Sequence, residues 1–257
     1  LLAKNHISFP VIAKPNVGER GTEVEKIQSL EQLTKHLHAH SGNFIIQEFI
    51  TFENELGVLY YRLPSEKKGK ISSLTIKKFL SVTGNGKDSL ATLINQSARA
   101  RFQWKKLKVK FADQLPEILP KNEVLLLEPI GNHCRGTAFL NGNHLINSQL
   151  EAIFDEVAAN IDGFYLGRFD LKVSNFDDLY AGKNIKIMEL NGVSSDPGHI
   201  YDPDYQLLHA YRDFFRHFKI IAEISQQNIQ NGIKPIPLKM LWQIARQHFR
   251  KPKSVPA

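Results

Sequence analysis

A single cysteine, Cys134, stands among 257 residues, so neither an intramolecular disulfide framework nor a multi-cysteine zinc site can be built. Such usage fits a reducing compartment, and the cytoplasm is the expected location. No apolar run approaches the roughly 20 residues that a membrane-spanning helix needs, and no basic start with an apolar centre marks a secretory leader. No membrane partner is therefore expected. Internal repeats and long low-complexity segments are also missing. What is present is ordinary globular material, 42% hydrophobic and 23% charged, enough for one large domain or two modest ones. Lys plus Arg exceed Asp plus Glu by 33 to 26, a net charge of +7. The excess favours anionic partners such as nucleotides or phosphates. Part of it lies in the C-terminal RQHFRKPKSVPA, which reads equally as a solvated basic tail.

The stretch from Gly163 to Tyr201 holds the strongest chemical pattern. Alternation in a strand puts Arg168 and Asp170 on one face, with Phe169 and Leu171 on the other. Glu189 and Asn191 repeat the pattern, with Met188 and Leu190 directed to the core. The intervening VSNFDDLYAGKN, rich in Asn, Asp and Gly, is expected to turn between antiparallel strands. Pairing them gathers Asp170, Glu189 and Asn191 around one point, an oxygen-ligand set suited to Mg²⁺ and substrate phosphates, with Arg168 placed to meet phosphate charge. An exposed hairpin face with ordinary salt bridges is the alternative.

Along the chain, FPVIAK ends a short apolar strand on Lys14, and the following loop carries Gly18 and Gly21. Gly-rich loops let backbone N–H groups approach phosphates, so Lys14 with this loop is a candidate clamp and lid; a plain turn is the other possibility. Ser29 to Gln32 fits a capping box, with Leu30, Leu33 and Leu37 on the apolar side of a helix. NFIIQEFI reads as a buried strand and ELGVLYYRL as the next. The link between them could hydrogen-bond an adenine edge, and Glu48 and Glu55 could accept from amino or hydroxyl groups. They could also be solvated strand ends. PSEKKGK is expected to turn into the strand ISSLTIKKFL, where either Lys77 or Lys78 faces the functional side; we assign the catalytic contact to Lys78. A helix is expected over 88–101. WKKLKVKF alternates basic and apolar residues without putting aromatics among its lysines, and reads as a protected edge strand rather than a nucleic-acid surface. EVLLLEP should be a buried strand, and GNHCRGTAFLNGNHLI a loop plus a hairpin turning at Asn141-Gly142. His133 and Cys134 have no further ligand at metal spacing, which leaves Arg135 as a phosphate or carboxylate contact. Helices are expected near 148–160, over 204–230 and over 237–250, the second packed through Leu207, Leu208, Tyr211, Phe214, Phe215 and Phe218.

Taken together, FPVIAKPNVGERG, IIQEFITFENELGV and GRFDLK…IKIMELNGVSSDPG resemble the ATP-grasp superfamily, particularly carboxylate-amine ligases of the D-alanine-D-alanine ligase kind. LSVTGNGKDSLATLI is closer to cyanophycin-synthetase-like and glutathione-synthetase-like relatives. The resemblance implies an α+β fold of two lobes, each an antiparallel sheet with helices, and ATP between them. Residues 1–50 would form part of the small lobe and 51–257 the large lobe with the C-terminal helices. It implies adenine near Gln47, Glu48, Phe49 and Ile50, ribose on Glu55, phosphates on Lys14, and Mg²⁺, or Mn²⁺ in its place, on Asp170, Glu189 and Asn191. Such enzymes ordinarily carry an N-terminal domain and a further phosphate-contacting lysine ahead of the Lys14 block, so the chain is expected to be a fragment.

The implied reaction activates a carboxylate as an acylphosphate and joins it to an amine, releasing ADP and phosphate. No protein nucleophile is required, in keeping with the lack of a convincing Ser-His or Cys-His pair. A kinase that stops at phosphoryl transfer is the second expectation, and a basic nucleotide- or nucleic-acid-binding module without catalysis the third. The small-molecule carboxylate and amine and the oligomeric state are not specified by the sequence.

Overall fold

A computed structural model describes residues 2–16, 23–40 and 42–250. The chain opens with a three-stranded antiparallel sheet in the order β2-β1-β3, built from β1 (Val11–Pro15), β2 (Glu25–Ile27), α1 (Leu30–Ala39) and β3 (Phe44–Glu48). Val11, Ala13 and Ile27 form its core with Leu33 of α1. Half of the capping box forms: Ser29 Oγ accepts from Gln32 N–H at 3.2 Å, while Gln32 Oε1 accepts at 2.8 Å from the N–H of Gln28, one residue before the cap. Of the three leucines expected inside, only Leu33 is buried; Leu30 and Leu37 face solvent because the small sheet covers a narrow stripe of the helix. β3, expected to be buried, is half-exposed along its length.

β4 (Asn54–Tyr61) and β5 (Lys70–Lys78) follow as an antiparallel hairpin. The chain then leaves the sheet through β6 (Ser81–Thr83), α2 (Leu90–Gln96), α3 (Trp104–Lys110) and β7 (Val124–Leu126), which share a core of Leu80, Val82, Leu90, Ile94, Leu107 and Leu127. Three expectations fail here. WKKLKVK is a helix: Leu107 is buried with Trp104 and Phe111 packed beside it, while Val109 is 73% exposed. A spacing of three and four residues puts 104, 107 and 111 on one helical face, and packing against α2 selects that period over alternation. EVLLLEP is not a buried strand: β7 pairs only with β6 and leaves Val124 and Leu126 exposed. The helix expected over 88–101 is divided, α2 ending at Gln96 before a 3₁₀ turn at Ala100–Gln103.

The chain returns through β8 (Ala138–Asn141), α4 (Ser148–Ala159), β9 (Leu166–Val173), α5 (Phe176–Tyr180) and β10 (Ile185–Asn191) to complete a five-stranded antiparallel sheet, β10-β9-β4-β5-β8. Asn141-Gly142 does not turn a hairpin; β8 pairs with β5, and the chain goes through a 3₁₀ turn at Asn143–Leu145 into α4. The expected turn before β10 contains α5, whose N-terminus Asn175 caps by accepting from Asp178 N–H at 2.8 Å. On one sheet face Leu56, Val58, Tyr60, Phe169, Leu171 and Val173 meet Leu150 and Phe154 of α4 and Leu179 of α5. Alternation leaves Glu55, Lys77, Arg168, Asp170 and Lys172 on the other.

α6 (Leu207–Gln230) and α7 (Leu238–Arg250) end the described chain. α6 buries His217, Ile220 and Ile224, the isoleucines against Leu166. The apolar stripe expected to pack it instead faces outward, with Leu208 81% and Phe215 70% exposed. Among the described residues no helix is long and apolar enough to cross a membrane.

Candidate functional site

The sheet face opposite the main core carries a cluster of buried charges. β4 lies between β5 and β9, with Glu55 in register with Lys77 on one side and Lys172 on the other. Lys77 Nζ lies 3.0 Å from Glu55 Oε1 and 3.3 Å from Asp170 Oδ2. Arg168 grips Asp170 from the same strand, Nε donating to Oδ1 at 2.8 Å and Nη2 to Oδ2 at 3.2 Å. Residues two apart share a strand face, so this fork and carboxylate pairing is local to β9. Gly57 of β4 gives it room: a Cβ there would stand 3.3 Å from both Arg168 Cδ and Asp170 Oδ1. Lys172 Nζ donates to the Ile50 carbonyl at 3.1 Å and lies 4.0 Å from Glu55 Oε2.

Burial and charge pull against each other throughout. Burial alone would lower the Lys77 pKa, but Asp170 and Glu55 outweigh it and hold the ammonium above its ordinary range. Burial would likewise raise Asp170, and Lys77 and Arg168 overcome that to hold its carboxyl below the usual range. Lys172 goes the other way: burial lowers it, and Glu55 only partly compensates against Lys26 and Lys77. Three cations, Lys77, Arg168 and Lys172, thus enclose two anions, Glu55 and Asp170.

The small sheet meets this cluster at β10. Lys14 Nζ and Gln47 Nε2 both donate to the Met188 carbonyl, at 3.5 and 3.4 Å. Glu48, exposed, pairs with Lys186 at 3.6 Å. The Phe49 ring receives Lys26 Nζ 3.8 Å from its centroid and Lys172 Nζ at 5.4 Å, and buried Ile50 contributes the carbonyl that holds Lys172.

Of the residues expected from the sequence, Arg168, Asp170, Asn191 and Glu55 are brought together. β9 and β10 pair with Glu189 opposite Asp170 and Asn191 opposite Arg168, and Asn191 Nδ2 donates to Asp170 Oδ2 at 3.4 Å. Glu189 is exposed, and its charge is felt by Arg168. Leu190 pairs opposite buried Phe169, but β10 is the edge strand and Leu190 stays 40% exposed. Lys78 is exposed on the alternate side of β5; Lys77 supplies the buried ammonium. Arg135 pairs with Glu128 at 3.5 Å, in a 3₁₀ turn at His133–Arg135. Gly18 and Gly21 lie outside the described residues. Lys172 was missed, although the alternation that joins Arg168 to Asp170 extends to it.

As a metal site, the Asp170, Glu189 and Asn191 set has the right chemistry for a hard cation, two carboxylates and an amide oxygen. Asp170 is already engaged by both Arg168 and Lys77. Among the described residues no group of three His, Cys, Asp or Glu side chains could hold a metal ion.

No family model matches the chain, and no curated protein matches it. Among solved structures, a bifunctional glutathione synthetase from Pasteurella multocida is similar over 82% of this chain at 14% identity, with a TM-score of 0.43. This chain covers 30% of that protein's length.

Proposed function

We propose that the chain provides the nucleotide site of an ATP-dependent carboxylate-amine ligase of the ATP-grasp kind, with ATP between the small and the five-stranded sheet. The observation that carries this reading is the β9–β10 register. It sets Asp170 opposite Glu189 and Asn191 opposite Arg168, while Lys14 and Gln47 of the other sheet arrive at Met188 between them and the small sheet.

In this reading Asp170, Glu189 and Asn191 hold Mg²⁺, which when bound supplies charge neutralisation to the phosphates. The remaining work falls to side chains already in place. Lys14 makes only a long bond to a carbonyl and is free to exchange it for a phosphate oxygen. Arg168 shares its fork with Asp170, and its guanidinium is the group that would meet the oxyanion formed when the amine attacks. Lys77 keeps positive charge at the same face without leaving the sheet. Glu55, held between Lys77 and Lys172, positions these ammonium groups, and the ribose contact implied by the resemblance would draw it from that pairing. A carboxylate oxygen attacks the γ-phosphorus and the bond to ADP breaks; the amine then attacks the acyl carbon, phosphate departs and the nitrogen loses a proton.

The test is ADP release from Mg²⁺-ATP with panels of small carboxylates, with and without small amines. Release that requires both substrates supports the ligase. Phosphorylated product without an amine makes the protein a kinase, and nucleotide-independent binding of nucleic acid with no turnover makes it a binding module.

A further inference from the structure

A second polar site lies away from the buried charge cluster, in a cavity of about 210 Å³ between α6, β5 and the 3₁₀ turn at Gly198–Tyr201. At about 30 Å³ per water it has room for about seven waters, the size of a small organic acid. Its lining includes Asn143, His199, Tyr205, Arg212, Arg216 and His217.

Most of these groups are already committed to one another. Asp213, which also lines the cavity, accepts from Arg212 Nε at 3.0 Å and from Tyr205 OH, and its Oδ2 lies 3.2 Å from His199 Nε2. The other nitrogen of His199 is 2.8 Å from Ser73 Oγ. With Asp213 consumed, Arg216 has no ion-pair partner among the described residues. His217 is 2% exposed, and its Nδ1 is buried with no hydrogen-bond partner. A buried polar atom left unpaired is costly and uncommon, and calls for a partner. Burial lowers the His217 pKa, offset in part by Asp196 and the Ser195 backbone, so at neutral pH the ring is uncharged and one nitrogen presents a lone pair. Asn143 uses its Oδ1 on Leu74 N–H at 2.8 Å, which leaves its amide N–H groups to donate.

The cavity therefore offers one uncompensated guanidinium, an amide donor and a buried nitrogen that needs a donor. We propose that it binds a small monocarboxylate carrying a hydroxyl or amino group on the carbon next to the carboxylate. Arg216 takes the carboxylate, and the neighbouring O–H or N–H satisfies His217. A single unpaired cation matches one negative charge better than the two of phosphate. This site stands on its own groups and does not depend on the ligase reading.

Calorimetric titration of the full chain with lactate, L-alanine, propionate and inorganic phosphate tests it. Lactate or L-alanine should bind about threefold to tenfold more tightly than propionate, which has the carboxylate but lacks the donor. That comparison probes the His217 contact without disturbing a buried residue. Arg216→Gln, at an exposed position, should keep the fold and weaken binding about tenfold or more. The proposal is overturned by no binding of lactate or L-alanine, by propionate or phosphate binding as well as they do, or by unchanged affinity in Arg216→Gln.

Discussion

Lys77 Nζ and Glu55 Oε1 are 3.0 Å apart across adjacent strands, and each side chain is less than a tenth exposed. Their register is set by the β4–β5 hairpin, so the pair is built by local folding. Two charges removed from water depend on one another, and Asp170 and Lys172 extend that dependence to β9.

Lys77→Met should accordingly leave Glu55 and Asp170 short of a counter-charge and destabilise the chain by about 3–5 kcal/mol. Lys78→Met, at the exposed neighbour, should cost under about 0.5 kcal/mol. Urea unfolding of both variants checks the assignment; equal effects would remove Lys77 from its central place.

Gly131 packs directly over the Glu55 carboxylate, where a Cβ would stand 2.1 Å from Oε1. Because Glu55 is held by lysines it has little room to retreat, and Gly131→Ala should cost about 1–3 kcal/mol. Thermal unfolding measures this. Combining it with Glu55→Ala should give less than the sum of the two single losses, since the collision disappears.

Asp213 and His199 predict acid lability. Burial would raise the Asp213 pKa, but bonds from Arg212, Tyr205 and His199 bring it down to about 2. A carboxyl depressed on folding contributes stability above its unfolded value of 3.8, lost as pH falls through the folded one. Asp213→Asn should therefore be less stable than the parent by about 2 kcal/mol at pH 7, with the gap closing progressively below about pH 4. His199 is also depressed, chiefly by burial, and loses its contribution in the same direction as pH falls below its ordinary 6.5. Denaturation midpoints between pH 8 and pH 2 test both windows.

The central hairpin was legible because one rule, alternation, determines both which side chains share a face and which lie across the pair. Applied one step further, it reaches Lys172. The choice between Lys77 and Lys78 was not legible, since it depends on which strand faces which helix, a tertiary fact. β10 shows another limit: Leu190 lies opposite buried Phe169 yet stays 40% exposed because β10 is the edge strand, and alternation cannot say which strand is the edge. The outer faces of α6 and α1 carry leucines at helical spacing, but spacing alone cannot say how wide a stripe the neighbouring sheet covers.

WKKLKVKF illustrates the competition of periods, and Leu107 and Val109 separate them. In a strand both would share a face; in α3 Leu107 is buried and Val109 exposed. Leu107→Ala should cost about 2–5 kcal/mol and Val109→Ala under about 0.5 kcal/mol, measured by chemical denaturation.

The central claim, that β9 and β10 form a metal-nucleotide site, is tested most directly through Glu189, which is exposed and can be changed without opening the buried cluster. Binding of ATP by the parent chain and by Glu189→Gln is measured calorimetrically with Mg²⁺ and with chelator. The account predicts that the parent binds more tightly with Mg²⁺ and that Glu189→Gln loses most of that increment while unfolding at the same denaturant concentration. ATP binding that is indifferent to Mg²⁺, or a Mg²⁺-dependent increment unchanged in Glu189→Gln, would contradict it.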